Sequence, residues 1–259
     1  MNVLSLFDGM SCGQIALNKL GIKVDNYFAS EIDKFAIKIT QKNFPNTKQV
    51  GSVEFVTEGM FLNHKIDLLI GGSPCQGFSF AGKQLNFDDP QSKLFFEFLR
   101  ILKETKPKFF LLENVKMKKE YQNIISDFLK VEPIEINSSL LSAQNRKRLY
   151  WTNIPNIEQP KDNNKTIKSE LGYKSIIDAI YNKRPKRIYN EKAPTIRAGR
   201  QGQTNEKGDK LTPNDYEKLQ TVSLNYTKGV SNSQRYKMLG NGWTVDVVCH
   251  IFKNMKNAN

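Results

Sequence analysis

The stretch Ile66-Asp67-Leu68-Leu69-Ile70-Gly71-Gly72-Ser73-Pro74-Cys75-Gln76-Gly77-Phe78-Ser79 decides the fold. Its mostly apolar first part predicts a buried strand over residues 66–70. Two glycines then end the strand, and Pro74 fixes the backbone just ahead of a cysteine. A loop at the carboxyl end of a parallel strand is where open α/β sheets gather their chemistry. A lone cysteine is ordinarily a small buried apolar group. The Gly-Gly and Pro-Cys setting, with what lies downstream, points instead to a thiol that is used.

Upstream, residues 2–7 predict a first strand and Asp8 to Gly13 a tight turn. Residues 14–20 predict a helix stopped by Gly21. A glycine-bearing turn between a strand and a helix offers free backbone N–H groups to a ligand. The next strand, residues 27–30, ends in Glu31, 18 positions past Gly13. In nucleotide-binding α/β folds an acid at about that spacing binds ribose hydroxyls. An ordinary helix N-terminal carboxylate would look the same. Residues 34–42 continue as a helix, and residues 50–56 predict a short strand and turn.

Downstream, residues 81–91 are polar and aperiodic and predict a loop beside the cysteine. Residues 92–103 carry apolar side chains at helical spacing. Residues 109–112 predict another buried strand, ending in Glu113-Asn114-Val115. A carboxylate there is costly unless it is used or paired. A helix over 119–129 and strands over 133–137 and 149–152 follow. Between those strands stands Gln144-Asn145-Arg146-Lys147-Arg148.

After Trp151 the composition shifts to Asn, Lys and Pro, which predicts a loop-rich lobe. It holds a basic cluster, Lys183-Arg184-Pro185-Lys186-Arg187, suited to phosphates. A further stretch from Ala193 to Gln203 bears Arg197 and Arg200. Thr212 and Pro213 read as the N-cap and first residue of a helix ending at Leu219. Gly240-Asn241-Gly242-Trp243 precedes a last helix over 245–255.

The whole chain has 259 residues, 39% of them hydrophobic, enough for one large core and a smaller lobe. Its net charge of +13 favours a polyanionic partner, nucleic acid first. The three cysteines, Cys12, Cys75 and Cys249, form no CxxC pair, so neither a zinc site nor a disulfide framework is expected. No apolar run approaches a membrane span, and residues 1–9 lack the basic start of a signal peptide. The expectation is a cytoplasmic protein with reduced thiols and no bound metal.

Read together, FDGMSCG, SEID, GGSPCQGFS, ENV, QNRKR and GNGWTVDVV resemble the DNA cytosine-5 methyltransferase family, in its order and at its spacings, nearly end to end. The compact length resembles bacterial or phage-encoded members; several details, Trp243 among them, resemble the animal de novo class. The resemblance implies an α/β, Rossmann-like domain binding S-adenosyl-L-methionine, over residues 1–152 and 239–259. It implies a small target-recognition lobe over 153–238, with double-stranded DNA in the cleft between them. A cognate restriction endonuclease is the partner such bacterial members bring to mind.

By the same resemblance Cys75 would add to C6 of the target cytosine, and C5 would then take the methyl group. Glu113 would hold N3 and the 4-amino group. Arg146 would bind O2, Arg148 would order the site, and Asn114 would brace Pro74 and the cysteine loop. The cofactor would meet Phe7, Asp8, Gly9, Ser11, Cys12, Gly13, Glu31, Ile32, Ser52, Val53, Asn241 and Trp243. Because a base in a duplex cannot reach a thiol in a cleft, the target would be flipped out. DNA would then be met by Gln76, Ser79, Lys83 and Gln84 of the closing loop. Lys183, Arg184, Lys186, Arg187, Arg197 and Arg200 would meet it from the lobe.

The chain departs from the family pattern in carrying Ser52-Val53 where relatives often place an aspartate, and Asn214-Asp215 where they carry Arg-Glu. A tRNA cytosine-5 methyltransferase, a catalytically silent DNA-binding partner and an ordinary Rossmann oxidoreductase are the competing readings. The last would leave Cys75, Glu113 and Arg146 without a joint explanation.

Overall fold

The computed structural model describes residues 1–61, 63–73, 90–178, 186–199 and 202–257. The amino-terminal part holds β1 (Asn2–Leu6), α1 (Cys12–Lys19), β2 (Asn26–Ser30), α2 (Lys34–Asn43), β3 (Lys48–Gln49) and β4 (Leu68–Gly71). It continues through α3 (Pro90–Thr105), β5 (Phe109–Val115), α4 (Lys119–Leu129), β6 (Ile134–Asn137) and β7 (Lys147–Thr152). These strands form one seven-stranded sheet in the order β3-β2-β1-β4-β5-β7-β6. Strands β3 to β5 in that order pair in parallel, and β7 runs antiparallel to both its neighbours.

Strand alternation explains the two layers. Successive side chains of β1 point to opposite faces: Val3 joins a core with Leu17, Ile39, Ile70, Val248 and Ile251. Leu4 and Leu6 join the other with Phe95, Phe98, Leu112, Ile125 and Trp151. With both faces covered, the central strands read as continuous apolar runs. The order reverses at β1, which lies between β2 and β4. Loops leaving the carboxyl ends of β1 and β4 therefore diverge and open a crevice.

The remaining elements are α5 (Ile167–Leu171), β8 (Ile176–Asp178), β9 (Arg187–Tyr189), β10 (Gln203–Asn205), α6 (Pro213–Leu219), α7 (Asn232–Asn241) and α8 (Val245–Phe252). The three short strands make an antiparallel sheet, β10-β8-β9. Helix α6 starts where its cap was read. Thr212 and Asp215 form a reciprocal capping box, with Pro213 in the first turn. Asp215 thus has a local task, and Asn214 accepts from Arg235 Nη2 at 2.8 Å.

Three expectations need correction. No strand forms over 50–56, because Gly51 turns the chain at φ +77° and a short 3-10 turn, Val53–Phe55, follows; the two-residue β3 lies just before it. The last helix stops at Phe252 and continues as a 3-10 turn over Lys253–Asn257. Helix α7 was not foreseen. Its buried face includes Arg235, whose guanidinium pairs with fully buried Glu217 at 3.1 Å, and a charged residue breaks the apolar period. Among the described residues no helix is long and apolar enough to cross a membrane.

Candidate active site

The turn after β1 is built from residues in unusual backbone states. Phe7, Gly9 and Ser11 all have positive φ, at 56°, 57° and 61°. Only glycine adopts that region without steric cost, so the other two must be held. Ser11 is wholly buried and donates its hydroxyl to Asp8. Tyr27 donates to the other oxygen of Asp8 at 2.8 Å. Tyr226 donates to Met10 O at 2.8 Å, so the turn is fixed from the C-terminal part of the chain as well. Burial drives the Asp8 carboxyl up to about 6 and the Cys12 thiol up to about 12.

Glu31 closes this turn from the end of β2. Its Oε2 accepts from Gly9 N at 2.7 Å, and its Oε1 accepts from Ile32 N at 2.7 Å and Asp33 N at 2.8 Å. Ile32 beside it is 76% exposed, an apolar side chain left to the solvent side of the crevice. Arg100 of α3, itself gripped by Glu97 and Glu104, reaches Val56 O at 2.8 Å and so holds the turn that carries Ser52 and Val53.

Glu113 lies at the carboxyl end of β5, 8% exposed. Arg148 Nε of β7 stands 3.0 Å from its Oε1. Trp243 Nε1 donates to its Oε2 at 3.1 Å. The antiparallel register pairs Glu113 with Tyr150 and Val115 with Arg148, which brings Arg148 back beside the carboxylate. Asn114 Nδ2 reaches Ser73 O at 3.5 Å and Ser73 Oγ at 3.4 Å, and so braces the loop leaving β4.

Arg146 has a different setting from the one expected at O2 of a base. Its Nη1 donates to Ile196 O at 3.2 Å, and its Nη2 donates to Gly240 O at 3.1 Å and Gly242 O at 2.9 Å. Burial first, and then the Arg148 charge, lower it to about 10. The guanidinium ties three separate segments together, and only its buried Nε lacks a partner.

These groups meet in one cavity of about 630 Å³. It runs from Phe7, Asp8, Gly9, Cys12, Gly13, Glu31 and Ile32, past Ser52 and Val53, to Asn241, Trp243, Glu113, Asn114, Arg146 and Arg148. Ser11 does not line it; its side chain serves the turn instead. Asp33, the last residue of SEID but given no role there, and Lys237, which no motif marked, also line the cavity and pair at 2.7 Å. Lys237 belongs to the unforeseen α7. Away from the cavity, Arg197 pairs with Asp178 at 2.9 Å, while Lys186 and Arg187 are exposed. Pro74, Cys75, Gln76, Ser79, Lys83, Gln84, Lys183, Arg184 and Arg200, with the loop expected at 81–91 up to residue 89, lie outside the described residues.

A cavity this size suits a nucleoside-sized cofactor. Glu31 Oε2 keeps an acceptor position beyond its single N–H partner, as a ribose hydroxyl requires. Gly9 presents bare backbone, since nothing lies within 4 Å of where its Cβ would be.

Known proteins match the chain along its whole length. The family described as C-5 cytosine-specific DNA methylase matches residues 1–170 and 118–257. The type II methyltransferase M1.ScrFI of Lactococcus lactis subsp. cremoris is 30% identical over 304 aligned positions, covering 98% of this chain and 77% of that protein. The orphan methyltransferase M.SPRI of Bacillus phage SPR is 36% identical over 163 positions, covering 58% of this chain and 37% of the phage protein. Among solved structures, a prophage-encoded DNA modification methyltransferase of E. coli superposes with a TM-score of 0.77 at 21% identity, over 99% of both chains. The Entamoeba histolytica methyltransferase EhMeth superposes at 0.77 with 18% identity, over 100% of this chain and 98% of its own. At those identities the two structures speak for the fold.

Proposed function

Since the chain belongs to the C-5 cytosine-specific DNA methylase family and is thereby a DNA (cytosine-5)-methyltransferase, we propose that it uses S-adenosyl-L-methionine and covalent addition of Cys75 to a flipped-out base. The observation that carries this reading is the shared cavity. One end has a ribose-type carboxylate on a glycine turn, and the other has a carboxylate held between an arginine and an indole.

S-adenosyl-L-methionine supplies, when bound, a methyl group on a positively charged sulfur. Glu31 holds the ribose hydroxyls, and Ile32 with Val53 flanks the adenine. Ser52 takes the place of the aspartate that relatives use there. Phe7, Gly9 and Gly13 shape the turn, and Asn241 closes the C-terminal side.

At the other end Glu113 accepts from the 4-amino group of cytosine and holds or donates a proton at N3, which draws electron density away from C6. The Cys75 thiolate bonds to C6, and the electron pair moves toward C5. Once C5 carries the methyl group, its hydrogen leaves as a proton and the C6–S bond breaks, restoring the ring. Arg148, which stands beside Glu113, is the group for O2 of the base. Arg146 is occupied by three carbonyls and is the brace behind the site.

We also propose that residues 1–152 and 239–259 form the catalytic part and residues 153–238 the recognition part. The exposed Arg187 on the edge strand of the small sheet, with exposed Lys186 just before it, supports contact with DNA phosphates there. The type II relative supports a cognate endonuclease as partner.

A duplex carrying 5-fluorocytosine at the target tests the chemistry. Fluorine cannot leave C5 as a cation, so the methylated base stays bonded to the protein. The expected result is a cofactor-dependent adduct that survives denaturing electrophoresis. It should be lost in Cys75→Ala and retained in Cys12→Ala and Cys249→Ala. An adduct that persists in Cys75→Ala would overturn the choice of nucleophile, and a preference for RNA in competition would overturn the choice of DNA.

A further inference from the structure

Trp243 is placed in the cofactor pocket by its position in the chain, yet its one polar atom points elsewhere. The indole N–H donates to Glu113 Oε2 at 3.1 Å, across 130 positions of sequence. The indole is 9% exposed, and a buried indole N–H needs an acceptor. Here the acceptor is the carboxylate assigned to the base.

The backbone on both sides of Trp243 is fixed. Gly242 O accepts from Arg146 Nη2 at 2.9 Å and Gln220 Nε2 at 2.9 Å. Thr244 Oγ1 donates to Gln220 Oε1 at 2.8 Å and accepts from Ser138 Oγ at 2.9 Å. The ring therefore has little freedom to turn away. Space is made for the contact by Gly72: a Cβ there would lie 3.0 Å from Trp243 Nε1 and 3.1 Å from Glu113 Oε2.

The carboxylate can serve two masters at once. Its two oxygens offer about four lone-pair positions. Arg148 takes one on Oε1 and Trp243 takes one on Oε2, which leaves one on each oxygen: one to accept from the 4-amino group of the base and one to share a proton with its N3. Without the indole N–H, Glu113 is held from one side only and can rotate about its terminal bond.

We propose that Trp243 is a positioning residue for methyl transfer: its indole N–H orients Glu113 toward the base while its ring walls the cofactor side of the cavity. The role rests on the functional reading above and deepens it. It joins the two ends of the cavity through a single side chain.

Trp243→Phe keeps a ring and removes the donor, which separates the two tasks. The rate of methylation in a single turnover at saturating cofactor should fall roughly 10- to 100-fold, as for loss of a hydrogen bond to a charged group. Cofactor affinity by calorimetry should change less than about 3-fold, because no donor to the cofactor is lost. Gly72→Ala reaches the same contact without altering the indole and should give the same signature, so a poorly folded Trp243→Phe does not decide the matter.

A rate fully restored by saturating cofactor in both variants would show that Trp243 is only a wall of the cofactor pocket and would overturn the proposal. A wild-type protein that methylates and variants that match it in rate would overturn it alone. A wild-type protein that methylates no DNA would overturn the functional reading and this role with it.

Discussion

Two carboxylates face the same cavity and are held in opposite ways. Glu31 is fixed by the main chain: three backbone N–H groups, from Gly9, Ile32 and Asp33, occupy its oxygens. Glu113 is fixed by side chains, Arg148 on one oxygen and Trp243 on the other. Backbone donors come with the fold, so the Glu31 arrangement survives most substitutions around it. Side-chain donors can each be removed singly. The end proposed for the cofactor is therefore robust and the end proposed for the base adjustable, as fits a reaction in which one ligand never changes and the other must be chosen and oriented.

The largest effect expected from breaking this contrast is at the base end. Glu113→Gln keeps the shape but cannot carry the charge or pass a proton. The rate of covalent adduct formation should fall by about 10²- to 10⁴-fold, with cofactor affinity nearly unchanged. Single-turnover kinetics and calorimetry on the same samples would check both halves. A parallel loss of cofactor affinity would mean that the two ends are not separable.

A third carboxylate, Asp8, sharpens the comparison because it is buried in the wall of the same cavity with its two oxygens taken by the Ser11 and Tyr27 hydroxyls. Burial raises it from 3.8 to about 6. A raised carboxyl stabilises the fold fully below its unfolded value, and that contribution is lost as pH rises through about 6. The slope between pH 4 and 6 is worth about 3 kcal/mol. In Asp8→Asn that slope should vanish, leaving a protein less dependent on pH in chemical denaturation. The amide still accepts one hydroxyl hydrogen bond, and the other hydroxyl can turn to accept from its NH₂. An unchanged slope would place the titration in another group.

The smallest effect belongs to the cofactor end. Glu31→Ala should weaken S-adenosyl-L-methionine binding by roughly 10- to 100-fold, the worth of hydrogen bonds to a charged acceptor. Ser52→Ala should cost less than about 3-fold, because a neutral side-chain hydrogen bond at a cavity wall contributes little. Equal losses in calorimetry would move the ribose away from Glu31.

Much of this was written locally. The turn after β1, the Gly-Gly end of β4, the carboxylate after β5 and the cap of α6 each depend on neighbours within a few residues. Sequence patterns describe such neighbourhoods well. Contacts between distant residues were not legible. Strand direction leaves no mark on an apolar run, so nothing announced that β7 would insert antiparallel between β5 and β6 and carry Arg148 to Glu113. The roles of Arg146 and Arg148 could not be told apart from Q-x-R-x-R alone. Their difference comes from partners distant in sequence: Arg146, just ahead of β7, meets carbonyls at 196, 240 and 242, while Arg148 within β7 meets Glu113. The donor to Glu113 Oε2 is likewise a matter of packing, since only the folded chain brings residue 243 to residue 113.

One crossing of the chain bears on how such proteins diversify. A Cβ on Gly240 would lie 2.3 Å from Ala198 N, so two backbone segments pass there in direct contact. Just upstream, Ala193 N donates to Ala143 O at 2.7 Å, Asn145 N donates to Ala193 O at 2.8 Å, and Thr195 Oγ1 donates to Asn145 O at 2.6 Å. Residues 193–198 are thus woven into the proposed catalytic part although the proposed recognition part, 153–238, includes them. A recombination that swapped all of 153–238 between relatives would cut these stitches. The exchangeable cassette to expect is shorter: the antiparallel strands β8 and β9 ahead of Lys192, and the sequence that follows Gly199. Lineages that acquire new target sequences by shuffling should place their junctions there, and a chimera built on those borders should inherit the donor's sequence preference with the host's turnover.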